Sequence, residues 1–329
     1  MKRLVVAALA GTLAVAAAPI PAAQAANDAI SVAATIDVGL NPWGVAISPN
    51  SGIVAYVANG SDGTVSVVNP RTRVVTGQIQ VGGSPTGVVF SPDGSLAYVA
   101  NHSGYLSVVT ASATPTVLAT VTIGQDAYGI AVSPDGSTVY VANRGSNTIS
   151  IVDTASRAQV AEVAVGEDPT GIAVSPRNDR VYVTNSGSNT VSVISPTTRA
   201  VIASIPVQGG PVGVVFNPAG TRAFIANSSV SGGRSISIVD TGSSAVVKSI
   251  AGGPRPYALA MNSNGSLLFV TNLIKGGDGT VTVINTKSGS IVDQAVVGSV
   301  PQGIAVGPLG TYAYVTSLWG DTLTLLDLK

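Results

Sequence analysis

The sequence predicts an all-β fold, a seven-bladed β-propeller of four-stranded antiparallel blades, and three observations lead to it. One segment recurs seven times at a nearly constant period, and each full copy divides at turn residues into four short strand-like runs. The last copy lacks its fourth run, and the N-terminal region contains a run that matches it.

The chain opens with Met1, Lys2 and Arg3, continues apolar from Leu4 to Ala18, and reaches Ala23-Gln24-Ala25 before its first acid, Asp28. A basic start, an apolar stretch and an A-x-A site predict a secretory signal peptide over 1–25, cleaved after Ala25. The apolar stretch is 15 residues long, short of the roughly 20 that span a bilayer. No membrane span is therefore expected after cleavage, and the protein is expected to be secreted or held in the cell envelope. No Cys occurs, which excludes disulfides, thiolate metal sites and a lipid anchor on cysteine.

Residues 26–329 read as one domain, the propeller, because no Pro/Ser-rich linker or charge run divides them. Past residue 25 there are 14 basic and 16 acidic residues, a formal charge of −2. That balance offers no footprint for nucleic acid.

Ser31 to Gly39 (SVAATIDVG) resembles the fourth run of other copies, such as Val74 to Gly82 (VVTGQIQVG). It is expected to complete the last blade and close the ring, which removes an open sheet edge.

The copies then begin near Pro42, Pro85, Ala127, Pro169, Pro211, Pro256 and Pro301, at spacings of 43, 42, 42, 42, 45 and 45. In the third copy, Ile130-Ala131-Val132 is apolar on both faces, as an innermost strand between neighbouring blades should be. Ser133-Pro134-Asp135-Gly136 fits a type I turn, with Pro fixing φ at the second position and Gly at the fourth. Val139 to Val141 is β-branched and aromatic, Thr148 to Val152 alternates polar with apolar, and Val160 to Gly166 supplies the outer strand. The last copy ends after its third run, Leu323 to Leu326.

Tyr182-Val183-Thr184-Asn185 spells the motif of the YVTN family of β-propeller repeat proteins, which the chain resembles throughout. Close variants stand at Tyr56 to Asn59, Tyr98 to Asn101, Tyr140 to Asn143, Phe224 to Asn227, Phe269 to Asn272 and Tyr314 to Ser317, the last with Ser for Asn. The resemblance implies the propeller fold. Similar proteins occur in bacterial periplasms and on microbial surfaces, and are related to propellers that bind haem d1 or hydrolyse lactones, so the resemblance implies no single function.

Functional residues are sought where the repeat pattern is broken. In a propeller, the loops leading into the first strands and those joining the second and third strands share one face, here called the top face. Copies five and six are each three residues longer, with the insertions in Asn227 to Ser235 and Asn272 to Thr280 on that face. Extra length on one side of an array marks a binding side, although neutral loop drift gives the same pattern. Seven aromatics occupy one repeat position and read as packing between blades. Trp43, Tyr128 and Tyr257 fall on lead-in loops, and Tyr105 and Trp319 on second-to-third loops, all on the top face. Amphipathic aromatics are favoured at binding surfaces, but they also plug propeller channels.

Asp126 and Asp168 hold one position in adjacent copies, where two carboxylates suit Ca²⁺ or acid/base work. Solvated charges, with Arg144 as a nearby partner, are the favoured reading. The lone His102 excludes a multi-histidine metal site but leaves a general base or an axial ligand open. Neither C-x-x-C-H, G-x-S-x-G nor an EF-hand loop occurs, and the repeat Asn residues read as capping turn backbone. No cofactor or metal is expected.

Two functions remain. One is an exported, non-catalytic binding or scaffold protein presenting the top face to a protein, peptide or glycan, through Trp43, Tyr105, Tyr128, Tyr257 and Trp319 with Arg144 and Arg255 on the rim; a monomer is expected. The other is a lactonase-like hydrolase or lyase at the channel mouth, with His102, Asp126 and Asp168 as acid/base candidates. The second requires His102 or a carboxylate to point into the channel beside an arginine.

Overall fold

A computed structural model of the chain describes residues 29–49, 53–229 and 234–329. The expected signal peptide and part of the insertion after Asn227 lie outside them. Seven four-stranded antiparallel sheets surround a central channel. In six sheets the strands are consecutive in sequence; in the seventh, Ile30–Asp37 lies beside Thr322–Leu328, followed by Tyr312–Ser317 and Pro301–Val306.

The N-terminal strand therefore closes the ring. It pairs from Ile30 opposite Leu328 to Asp37 opposite Thr322, with one slip between Val32 and Ala34. The Ile30 N–H also donates to the Asp293 carboxylate of the sixth blade at 2.8 Å, and Ile30 and Ile36 are buried.

The inner strands begin at Pro42, Pro85, Ala127, Pro169, Pro211, Pro256 and Pro301. Their short apolar sequences suit burial between neighbours on both faces. The aromatic repeat position packs between blades: Tyr56, Tyr140, Tyr182, Phe269 and Tyr314 are fully buried, and the Tyr56 ring lies 4.8 Å from Phe90 of the next blade. Burying one such ring stabilises the fold by roughly 2 kcal/mol. The Ser-Pro-Asp-Gly turns form as expected, with the Gly94 N–H bonded to the Ser91 carbonyl at 2.8 Å and Gly136 to Ser133 at 2.9 Å.

The repeat asparagines differ from their expected role. Buried at the ends of the second strands, they reach across to hydroxyls of the third strand: Asn59 Nδ2 donates to Thr64 and Ser66, both at 2.9 Å, and Asn185 Nδ2 to Thr190 at 2.9 Å and Ser192 at 3.0 Å. They tie strands together inside each blade, where the Ser/Thr alternation of the third strand supplies the partners.

Every inner strand carries a register shift against its second strand just after the first residue. A bulge there re-aims a side chain. The glycine that follows in six blades explains how closely the inner strands approach. A Cβ on Gly171 would lie 2.0 Å from the Val212 carbonyl oxygen of the next blade, and one on Gly129 2.2 Å from that of Thr170.

Candidate functional site

The bulges place one side chain from each blade around the channel mouth: Trp43, Thr86, Tyr128, Thr170, Val212, Tyr257 and Gln302. Trp43, Tyr128 and Tyr257 therefore stand on the inner strands and line the channel, one residue inside the loops where the sequence placed them. Beneath them lie the close-approach glycines and then a ring of Val, Ile and Leu, enclosing a cavity of about 220 Å³. No charged residue lines it.

The hydroxyls of Tyr128 and Tyr257 meet across the mouth. They belong to the third and sixth blades, so the pair forms a bar between opposite walls. Trp43 packs edge-on against Tyr128, ring centroids 5.4 Å apart at 82°. Burial holds the Tyr128 hydroxyl well above the ordinary tyrosine value, and the contact with Tyr257 adds to the effect. Burial also raises Tyr257, against the Tyr128 hydrogen bond and the charges of Arg144 and Arg255. Both phenols are neutral near pH 7, so the bar is polar but uncharged.

A charged cluster stands on the rim beside Tyr128. Asp126 Oδ1 lies 2.6 Å from His102 Nδ1, and its Oδ2 accepts a 2.9 Å hydrogen bond from Arg144 Nε. His102 and Arg144 occupy the same repeat position, directly after the motif asparagine, in neighbouring blades. Backbone bonds from Asp126 N–H to the His102 carbonyl (3.1 Å) and from Arg144 N–H to the Asp126 carbonyl (2.9 Å) lock the three together. The Arg144 guanidinium carbon also sits 5.5 Å from the Tyr128 ring centre, in cation–π range. Burial opposes its charge, but the bond to Asp126 and the nearby acids outweigh this and raise its pKa.

Asp126 turns Oδ2 to Arg144 and Oδ1 toward His102, and among the described residues no group of three or more candidate metal ligands stands together at Asp126 and Asp168. Asp126, Asp168 and Arg255 share a left-handed backbone, with φ of 53°, 51° and 46°, a feature of the lead-in loop that recurs at Asn41 and Val300. Asp168 is held by its backbone, its N–H donating to Asn147 Oδ1 and its carbonyl accepting from Ser186. Arg255 makes no ion pair among the described residues, and its Nε is buried without a hydrogen bond.

The remaining aromatics part company. Tyr105 of the second blade donates to the Val81 carbonyl at 3.2 Å and covers Gly82 and Gly83, a brace onto the segment that leads in from the first blade's outer strand. Trp319 is 69% exposed, and the exposed Leu40 stands on the neighbouring loop, which Asn41 Nδ2 ties to the Leu318 carbonyl at 3.1 Å. Gln302 was not singled out from the sequence. It lines the mouth at 7% exposure, and its amide oxygen has no hydrogen-bond partner among the described residues. Alignment of the residue following each copy's first position would have found it.

A family model described as YNCE-like beta-propeller matches residues 135–304. The PE-PGRS family protein PE_PGRS18 of Mycobacterium tuberculosis (strain ATCC 25618 / H37Rv) is 48% identical over 52 residues, 16% of this chain, and the chain spans only 11% of that protein's length. The structure of the Kuenenia stuttgartiensis hydrazine synthase superposes with a TM-score of 0.76 at 22% identity, over 87% of this chain and 95% of that one. That likeness is one of fold.

Proposed function

The chain belongs to the YNCE-like β-propeller family, and from that premise we propose that it is an exported, non-catalytic binding protein that engages a protein, peptide or glycan on its top face. The observation that carries this reading is the convergence of Trp43, Tyr128 and Tyr257 over a mouth whose cavity contains no charged side chain. Trp, Tyr and Arg concentrate binding energy at interfaces, and the rim adds exposed Trp319 and the Arg144 cluster. Glycan and peptide arrays probed with the protein and with its Trp43→Ala/Trp319→Ala variant provide the test. Signals on the wild-type protein that vanish in the variant support the reading; signals that persist undiminished refute it.

One observation favours a second reading, a hydrolase or lyase at the mouth. His102 is half-exposed, and its Nδ1 lies 2.6 Å from Asp126 Oδ1, a contact that orients the ring as a general base requires. Against this, neither His102 nor Asp126 lines the cavity. Turnover of a lactone and ester panel that disappears in His102→Asn would favour the enzyme.

A further inference from the structure

We infer that the channel mouth takes a neutral phenolic group, its ring in the cavity between the inner strands and its hydroxyl between the Gln302 amide oxygen and the Tyr128–Tyr257 pair. This rests on the top face being the binding face and specifies what the mouth itself recognises.

The polar groups of the mouth leave one acceptor and one donor over. The bulge after Pro301 turns Gln302 into the mouth. There its side chain is 7% exposed, and its amide oxygen has no hydrogen-bond partner among the described residues. Leaving a buried acceptor unpaired is costly, and buried polar groups are paired as a rule. The Tyr128 and Tyr257 hydroxyls carry one hydrogen each and use one of the two on their mutual contact. Neither hydroxyl has another partner among the described residues, so the second hydrogen is a donor without an acceptor. The threonines of the ring add nothing to this balance, since Thr86 donates to the Ala127 carbonyl at 2.9 Å and Thr170 to the Pro211 carbonyl at 3.3 Å. A ligand hydroxyl both donates and accepts. It therefore answers Gln302 and the tyrosines together, whereas an ether answers only the tyrosines.

The lining requires the ligand to be neutral. No charged residue lines the cavity, and an ion there would lose its hydration without gaining a partner. An anion would also face the Gln302 oxygen. A cation would find aromatic rings, but the Arg144 guanidinium carbon already lies 5.5 Å from the Tyr128 ring centre, and its charge opposes a second one.

Size and shape favour a single ring. The cavity is about 220 Å³, and roughly 150 Å³ of apolar space suffices for benzene. Its walls of glycine backbone and Val, Ile and Leu side chains suit an apolar body, and Trp43, Tyr128 and Tyr257 offer edges and faces for aromatic packing. Thr170 and Val212, small side chains of the fourth and fifth blades, border the part of the mouth away from Trp43.

The test measures, by calorimetry, the binding of para-cresol and of para-methylanisole, which keeps the ring and the oxygen but has no hydrogen to donate. Para-cresol is expected to bind saturably, and para-methylanisole about fivefold or more weaker, the effect of one hydrogen bond. Gln302→Met, which keeps the length of the side chain, should remove that preference, and Val212→Phe, which fills the cavity, should remove binding of both; melting temperatures report whether each variant is folded. N-acetyl-tyrosinamide distinguishes the source of the phenol: binding like that of para-cresol assigns it to a tyrosine of a partner peptide, and binding of para-cresol alone assigns it to a free small molecule. Equal affinity for para-cresol and para-methylanisole, unchanged para-cresol affinity in folded Gln302→Met, or no response to para-cresol up to about 10 mM, a very weak affinity, would overturn the inference and leave the mouth to water. Array signals that depend on Trp43 and Trp319, with no para-cresol binding, would refute this inference and leave the top-face reading standing.

Discussion

The hydroxyl of Thr316 donates a 2.6 Å hydrogen bond to the carbonyl of Trp43, joining the last blade to the first at the mouth of the channel. The same hydroxyl accepts from the Gly303 N–H at 2.8 Å. Thr184 makes the equivalent pair of bonds to Val212 and Gly171. At Thr184 and Thr316 the motif Thr is thus a clasp between inner strands of neighbouring blades, whereas Thr271 bonds to Ala258 of its own blade; in the last blade the clasp fixes the backbone of a mouth residue.

Thr316→Val keeps the shape of the side chain and removes both bonds, leaving a part-buried N–H and a carbonyl unpaired. A loss of about 1–3 kcal/mol is expected, read from the denaturation midpoint, together with a shift in Trp43 emission. A midpoint within error of wild type would mean that solvent replaces the clasp.

Deleting residues 26–37 removes the strand that completes the last blade. A chain end is dispensable unless tied into a sheet, and this one pairs along Ile30–Asp37 and buries Ile30 and Ile36. The truncated protein is expected to melt well below the intact one and with lower cooperativity. An unchanged melting temperature would show that the strand contributes nothing to closure.

Tyr128→Phe and Tyr257→Phe each leave the opposite hydroxyl without its partner, at a cost of about 1 kcal/mol. The double variant removes both polar groups and should cost less than the sum of the two, a coupling of roughly 0.5–3 kcal/mol in a double-mutant cycle. Strict additivity would indicate that the hydroxyls do not interact in solution.

The acid limb of stability should depend on the Ser-Pro-Asp-Gly turns. Asp93 is held below its ordinary value of 3.8 by the Ser91 hydroxyl and the Ser95 N–H and hydroxyl, and Asp135 likewise by Ser133 and Ser137. A carboxyl depressed in the folded state contributes fully above pH 3.8, and the contribution is lost as pH falls through the lowered value. Asp93→Asn with Asp135→Asn should therefore flatten the fall in melting temperature below about pH 4. The effect is small because both groups are exposed. An unaltered acid slope would assign it to other carboxyls.

Much of the fold was legible because the repeat is strict. Pro42, Pro85, Ala127, Pro169, Pro211, Pro256 and Pro301, read as copy starts, are the first residues of the inner strands, and the orphan run after Ser31 had one vacant place to fill. The mouth was less legible. Trp43, Tyr128 and Tyr257 were found by residue type, but the bulge that turns them into the channel is a property of backbone register and leaves no distinct residue signal. The contact of His102 with Asp126 depends on which blades are radial neighbours and on a left-handed lead-in residue, and the two lie far enough apart in sequence to look unrelated. Gln302 escaped because an amide at an otherwise mixed position is inconspicuous.

The most direct test of the top face as the binding surface is the calorimetric affinity of a ligand selected on the arrays. Trp43→Ala with Tyr257→Ala removes two mouth aromatics, and truncating a packed anchor typically costs about 2 kcal/mol or more, so binding should weaken at least tenfold. A control with exposed Thr76 and Gln78 of an outer strand changed to Ala should bind as the wild type does. Full affinity in the mouth variant, with loss in the outer-strand control, would contradict the assignment and move the binding surface to the side of the ring.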